Sequence, residues 1–341
     1  MNAFEEHMTQ HQIRWRKTNV HATDWGWQNG RQYEHILPAR DWEEGLWPGI
    51  RKGSTNSLQA YLSNGIQKHP GAHNLKSSWT LCANLYFTFR QILGLPLLTG
   101  FLQQHVSAAI QRVDSVELEY AECCPLDPQT LLGEPSEGTR GANQTSPDVA
   151  FLVTTASGRG LILTENKFVE HSFYRCPGRQ VRDTARRLGN PIPFRCYDVS
   201  AVLADPAAQC HLASGDVPRK YWQRIGPVAD RSQFSRLSSC PAARAGYQLF
   251  RQQALAEGIA ASGKYDFVAT CLAIDQRNTV LDRCLRSTGV RSIRDWGSLF
   301  NGKASFAVFT HQEWVAWVRD HDTTGQWGSS LAWIKGRYDL P

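Results

Sequence analysis

The chain has 341 residues, enough for one large domain or two small ones around a substantial core. Its 41% hydrophobic and 20% charged content is that of a globular protein and excludes a low-complexity or disordered chain. The net charge of +6 is unevenly spread: residues 168–253 hold 13 Lys+Arg against 6 Asp+Glu, and the rest holds 24 against 25.

Met1 to Lys17 lacks the apolar run of a signal peptide, and nine cysteines without such a signal point to a reducing cytoplasm rather than a disulfide framework. The most apolar stretch, Leu85 to Leu102, is broken by Arg90, Gln91 and Pro96, so no membrane partner is expected.

In chain order, residues 1–75 predict an irregular N-terminal cap with short helices, one at Ser57–Gln67. Trp15, Trp25, Trp27, Trp42 and Trp47 lie scattered among polar residues there. Such rings either stack on unpaired bases or anchor a loop-rich layer, the second being the simpler reading. Ser77-Ser78 can cap a helix running to about Leu93, apolar almost all round and hence buried, with Gly94-Leu95-Pro96 ending it. Within it Asn84 is a lone amide, read first as a satisfied buried side chain. Val113 to Ala121 reads as a strand with Glu117 and Glu119 on one face and Val116, Leu118 and Tyr120 on the other. Residues 123–145 read as a long loop.

The most informative segment follows. Pro147-Asp148 opens an apolar run ending near Val153, Thr155 to Gly160 carries the small residues of a hairpin connection, and Leu161-Ile162-Leu163-Thr164 leads into Glu165-Asn166-Lys167. In a strand, residues i and i+2 share a face, so Glu165 and Lys167 point together and Asn166 points away. Antiparallel pairing lays Asp148 beside Glu165, with Lys167 about one strand spacing off, on the order of 5 Å. Unpaired buried charges are costly, so an acid, an acid and a lysine at the ends of buried strands are needed together. Two carboxylates with open water positions suit magnesium.

Beyond Lys167, residues 168–241 read as an irregular, proline-rich insertion carrying Cys176, Cys196, Cys210 and Cys240. Arg175, Arg179, Arg182, Arg186, Arg187 and Arg195 begin its basic stretch, which is either a phosphate-tracking surface or a plain solvated face. A strong helix runs from about Ala242 to Ala261, and Lys264 to Ile274 reads as a strand. Two helical stretches, Thr310–Arg319 and Gly328–Tyr338, carry Trp314, Trp317, Trp327 and Trp333 and pack a C-terminal extension onto the core.

The Pro147, Asp148, Glu165 and Lys167 pattern, with Asn166 in its middle position, resembles the PD-(D/E)xK, or restriction-endonuclease-like, nuclease superfamily. Over residues 77–274 the chain also looks like a bacterial branch of nuclease-like proteins, through Ser77-Ser78, Asn84-Leu85, Val116-Glu117-Leu118-Glu119, Glu165-Asn166-Lys167 and Tyr247-Gln248-Leu249. The order helix, three strands, helix, strand agrees with the αβββαβ core of that superfamily. The resemblance implies an α/β fold with a mixed central sheet: a nuclease core at 76–275, a cap at 1–75, the insertion at 168–241 and a helical extension at 276–341.

It further implies that Asp148, Glu165 and the carbonyl of Asn166 hold Mg²⁺ or Mn²⁺, and that Lys167 orients a water and offsets transition-state charge. Glu119 would be the additional acid, Glu117 being nearly as good a choice. Gln248, sharing a helix face with Gln252, would take the place of the glutamine of RecB-type members, although their Gln-x-x-x-Tyr spelling is missing. Arg179, Arg182, Arg186, Arg187 and Arg251 would contact nucleic acid. The four cysteines suit zinc or a 4Fe–4S cluster, which staples the fold in some superfamily members, or are ordinary buried thiols; they contain no CxxC. The expected activity is Mg²⁺-dependent hydrolysis of DNA in restriction, repair or phage defence, with a protein partner aiding target choice. The alternative is a catalytically silent DNA-binding or scaffold protein.

Overall fold

The computed structural model describes residues 2–136, 138–183, 189–215 and 217–341. At its centre is a five-stranded mixed sheet with strands in chain order: β1 (Ile110–Leu118), β2 (Val149–Thr155), β3 (Gly158–Lys167), β4 (Phe267–Ile274) and β5 (Ser305–Thr310). β1, β2 and β3 pair antiparallel, while β3, β4 and β5 run parallel. A two-residue turn, Ala156-Ser157, joins β2 to β3, and Gly158 closes it at φ 134°, a region open to glycine. This is the mixed α/β sheet expected of a restriction-endonuclease-like fold.

The sheet is buried on both faces. Side chains of Val116, Val149, Phe151, Ile162, Ala269 and Phe309 join one apolar layer, and those of Ala150, Leu161, Leu163, Val268, Leu272 and Val308 join the other. Period-two alternation sends them to opposite sides. The first layer is closed by helices α1 (Ala3–Asn19), α2 (Ser78–Leu85), α3 (Leu95–His105), α5 (His311–His321) and α6 (Gly328–Tyr338). The second is closed by α4 (Tyr247–Ala261) and the 168–241 insertion.

The cap and the C-terminal helices are bound to each other. Gln12 Nε2 donates to the Arg337 carbonyl at 2.8 Å, and Trp15 meets Trp333 edge-on at 5.8 Å. The Trp314 indole donates to the Leu85 carbonyl at 2.9 Å. Trp15 and Trp42 are buried as anchors, whereas Trp25 and Trp27 are 48% and 62% exposed on a small hairpin, Gly26–Gln28 with Arg31–Tyr33. Asn84 donates to Tyr338 Oη at 2.7 Å and Gly45 O at 3.1 Å and accepts from Trp47 N at 2.7 Å, so it is a satisfied buried amide.

Three expectations need correction. The cap opens with the 17-residue α1, not with irregular chain. Its buried positions include Thr9, Gln12 and Arg16, held by hydrogen bonds rather than by an apolar stripe, so its sequence has little helical periodicity. The helix expected at 77–93 stops at Leu85 and continues as a tight turn at Phe87–Arg90. Leu95-Pro96 then begins α3 rather than ending a helix, since proline is accommodated in a first turn. The fifth strand, β5, was not expected. Among the described residues no single helix is long and apolar enough to cross a membrane.

Candidate active site

β1 ends, β2 begins, and β3, β4 and β5 end at the same edge of the sheet. The register pairs Val149 with Thr164, so one step further Asp148 meets Glu165. Asp148 Oδ2 accepts from the Asn166 backbone N–H at 2.7 Å, and its carbonyl accepts from Glu119 N–H at 3.2 Å. Asp148 is thereby fastened to both neighbouring strands. Glu165 and Lys167 share a face as the strand period requires, and Lys167 Nζ donates to Glu165 Oε1 at 2.7 Å. Both are buried, at 6% and 3% exposure. His311 Nε2 lies 3.0 Å from the Lys167 carbonyl; as a carbonyl only accepts, that nitrogen carries the proton. The Tyr174 ring stands 5.7 Å from Lys167 Nζ.

Asn166 points the other way. Its Nδ2 donates to the Ser78 carbonyl at 2.7 Å, tying β3 to the start of α2, and its buried Oδ1 has no hydrogen-bond partner.

The site is crowded with acids. Burial and the neighbouring Glu165 push the Asp148 carboxyl well above its ordinary range, Glu119 adds to this, and Lys167 and the Asn166 N–H pull against it. Burial pulls the Lys167 ammonium down, but Glu165, Glu170 and Asp148 outweigh it and hold the group charged well above neutrality. Burial likewise pushes Glu119 up to about 8, Ser146 and Arg140 opposing and Glu165 assisting.

Glu119 and Glu117 do not share a strand face. β1 stops at Leu118, and Glu119 takes a left-handed backbone at φ 48°, which turns its carboxyl into the buried space near Glu165. Glu117 is spent elsewhere: it accepts from Tyr61 Oη at 2.8 Å and pairs with Arg140 at 3.3 Å. Of the two, Glu119 is the acid at the site.

The first turns of α4 supply Gln248 and Arg251, three apart and so on one helix face. Gln248 is half-buried, with its buried Oε1 lacking a hydrogen-bond partner. Gln252 instead donates to the Leu163 carbonyl of β3 at 2.9 Å. Arg251 lies in the field of Glu134, Tyr247, Tyr221 and Glu165; burial lowers its basicity, but these groups more than restore it. Glu134, buried, accepts from Tyr221 Oη at 2.6 Å and Thr145 Oγ1 at 2.7 Å.

Sequence reasoning missed His69. Its Nδ1 accepts from Gly71 N–H at 3.1 Å, so the ring proton sits on Nε2, and the ring stacks on Trp79 at 6.5 Å. Burial lowers its basicity; Glu170, Lys167 and Glu165 are the first charges that act on it. A neutral imidazole therefore stands beside the acids. Its segment has no periodicity that would have marked it.

The arginines expected to contact nucleic acid fall in different places. Arg182 is exposed, and Arg186 and Arg187 lie outside the described residues. Arg179 turns inward over the Tyr197 ring at 4.9 Å, and Arg251 is half-buried beside the acids. Among the described residues no three His, Cys, Asp or Glu side chains close tightly on a single ion. The donor chemistry still fits a hard divalent cation: Asp148 and Glu165 present carboxylate oxygens in a buried site, where burial first and the neighbouring acids second push Asp148 and Glu119 upward.

The mixed sheet and the acid–acid–lysine set at its edge define a restriction-endonuclease-like protein. The chain belongs to the family described as Restriction Endonuclease associating with ARP, whose model matches residues 5–338. Neither a curated protein nor a solved structure matches it.

Proposed function

We propose that this chain is a divalent-metal-dependent nuclease that hydrolyses DNA phosphodiester bonds. The observation that carries this reading is the complete set at one sheet edge: Asp148 fixed on Asn166 N–H, with Glu165 bonded to Lys167 at 2.7 Å. Asp148, Glu165 and the Asn166 carbonyl would hold Mg²⁺ or Mn²⁺, which when bound polarises a phosphate oxygen and acidifies a water. Lys167, kept charged by Glu165, Glu170 and Asp148, is a donor rather than a base. Its ammonium offsets the charge that develops on the phosphate and orients the attacking water. Glu119 carries a proton near neutrality, and Arg251 adds positive charge on the insertion side. The alignment of water, phosphorus and leaving oxygen is then a matter of rigid strands rather than mobile loops.

The family description names association with ARP, which supports a protein partner in target choice, within restriction, repair or phage defence. The test is incubation of the pure protein with circular and linear DNA, with Mg²⁺ or with EDTA. Cleavage that needs the metal is expected. DNA binding with no cleavage in either case, alone and with the partner, would identify a silent binding or scaffold protein instead. Nicked circles would separate endonuclease action from attack on ends.

A further inference from the structure

The small hairpin of the cap carries two exposed tryptophans on a fixed backbone. Its strands, Gly26–Gln28 and Arg31–Tyr33, are joined by Asn29-Gly30, both left-handed at φ 50° and 75°, as a two-residue hairpin turn requires. The hairpin is clamped at its base. The guanidinium of buried Arg16, reaching from α1, donates to the carbonyls of Ala22 and Asp24 on one side and of Glu34 and Ile36 on the other. Gly26 lies flush on the following segment: its N–H donates to the Ile36 carbonyl at 2.7 Å, and a Cβ there would overlap the Leu37 carbonyl oxygen. Strand alternation turns its neighbours, Trp25 and Trp27, away from that contact and into solvent.

Together with Asp24, Gln32, Arg40 and His73, the two rings line a cleft of about 560 Å³. That is the size of a pocket for one small ligand. Gln32 Nε2 donates to the Trp25 carbonyl at 3.4 Å, and the His73 ring reaches the Trp27 carbonyl at 3.4 Å, so both seat against the hairpin. The lining is aromatic and polar at once. Two indoles offer faces on which a flat ring stacks. A carboxylate, an amide, a guanidinium and an imidazole offer the acceptors and donors that read the edge of such a ring. Arg40 Nη2 lies 3.3 Å from Asp24 Oδ2, which offsets that carboxylate. Arg31 and Arg40 are exposed and supply positive charge for neighbouring phosphates. An apolar segment of a protein partner would cover these polar groups without pairing them.

A short path joins the cleft to the strand edge. Ala72 N–H donates to the His69 carbonyl at 3.0 Å and Asn74 N–H to the Gly71 carbonyl at 2.9 Å, so residues 69–74 form two overlapping turns. One such turn spans less than about 7 Å between its end Cα atoms and the next residue adds about 3.8 Å, which sets His69 and His73 no more than about 11 Å apart. His69 stacks on Trp79 at 6.5 Å, and Ser78, the residue before Trp79, accepts from Asn166 Nδ2 at 2.7 Å. A strand with its scissile phosphate at Asp148 and Glu165 therefore has the cleft within a few nucleotides' reach. We propose, resting on the reading of the chain as a DNA nuclease, that the Trp25–Trp27 cleft holds an unpaired nucleobase of the strand being cut. The substrate is then DNA with a single-stranded or displaced base near the cut, where no pairing has to be broken to fill the cleft.

The experiment is fluorescence anisotropy in EDTA, with the full chain and two labelled probes of one sequence: a single-stranded oligodeoxynucleotide and its paired duplex. The single strand is expected to bind more tightly. Trp25→Ala/Trp27→Ala should weaken that binding about 5–150-fold, as loss of a stacked base does, and leave the duplex within about twofold. Trp25→Phe/Trp27→Phe, which keeps both rings, should retain most of it. Equal binding of the two probes by the unaltered protein, or unchanged single-strand binding in the alanine variant, would overturn the assignment; loss of a protein partner in that variant would then mark the hairpin as a protein-docking surface. Should the alanine variant fail to fold, oxidation of the two indoles in the unaltered protein, read by mass spectrometry, decides: the single strand should protect them, and no protection would sink the idea. EDTA stops cleavage, so a chain that cuts nothing still reports its cleft, and a nuclease without this preference still cuts when Mg²⁺ is restored.

Discussion

The strand edge that carries Asp148, Glu165 and Lys167 and the insertion that carries the four cysteines are held by different means. At the strand edge, pairing registers fix each side chain to within a residue, and the polar groups are partnered: Asp148 by Asn166 N–H on the neighbouring strand, Glu165 by Lys167 two residues along the same strand, and Asn166 by the Ser78 carbonyl of α2. In the insertion the turns are short and joined by single backbone hydrogen bonds, such as Cys240 to Cys196. Precision in the first comes from the fold itself. In the second it rests on burial of side chains such as Phe173, Val202 and Trp222 between the turns. The two regions should therefore fail differently when perturbed.

The largest effect is expected at the strand edge. Asp148→Ala should reduce cleavage by about 10²–10³-fold or more while leaving the fold intact, because it removes a metal ligand and not core packing. Lys167→Ala should lose activity to a similar extent and also destabilise the protein by about 3–5 kcal/mol, since Glu165 is left buried without its ammonium. Replacing both, Glu165→Gln with Lys167→Met, removes the stranded charge and should recover most of that stability but no cleavage. A nicking assay beside denaturant midpoints reads both quantities. Wild-type-like cleavage in Asp148→Ala or Lys167→Ala would move the site elsewhere.

The strand edge was also the more legible of the two in the sequence. That Asp148, Glu165 and Lys167 lie together follows from a period of two and one tight turn, rules that act over a few residues, and the strand register places them side by side. The orientation of Asn166 follows from the same rule. Glu119 was chosen as the additional acid on the neighbouring strand, with Glu117 expected on the same face; instead a left-handed backbone just past the strand end separates the two and turns Glu119 inward. No alternation rule sees such a residue. α1 was hidden because only Met8 and Trp15 of its buried face are apolar; Gln12 and Arg16, held by carbonyl partners, fill much of the rest and look solvent-facing in a sequence. His69 and Glu134 were missed because groups far along the chain define them: the charges of Glu170, Lys167 and Glu165 for one, the Tyr221 hydroxyl for the other. In the insertion, the four cysteines were visible by type but not by spacing, since their turns meet only in space.

A smaller effect tests the acid crowding that sets the strand edge apart. Glu119 is pushed up to about 8 in the fold, against about 4.3 for an unfolded glutamate. Below the lower value both states hold the proton and the group does not change stability. Between the two values the unfolded chain releases its proton while the folded chain keeps it, so the folded state binds more protons and stability falls as pH rises. Above about 8 the fall stops. The slope from this one group is at most about 1.4 kcal/mol per pH unit. Denaturation in EDTA at several pH values should show the fall in the unaltered protein and a flatter line in Glu119→Gln. Parallel lines would mean that Glu119 is ionised throughout and that the site is less crowded than its geometry implies.

The smallest effect belongs to the outer face of the insertion. Arg182 is exposed, whereas Arg179 is folded over Tyr197 and Arg251 is half-buried beside the acids, so these three arginines cannot act alike. If Arg182 contacts a phosphate, Arg182→Glu removes about one counterion-releasing contact, and the slope of log affinity against log salt should fall in magnitude by about 0.9. Stability should stay within about 0.5 kcal/mol, as for most surface changes. Arg179→Ala should do the reverse: little change in the salt slope, but a lower unfolding midpoint, because its guanidinium packs inside the insertion. Fluorescence anisotropy of a labelled duplex across a salt series, beside thermal unfolding, separates the two. An unchanged slope in Arg182→Glu would make that residue part of a plain solvated face.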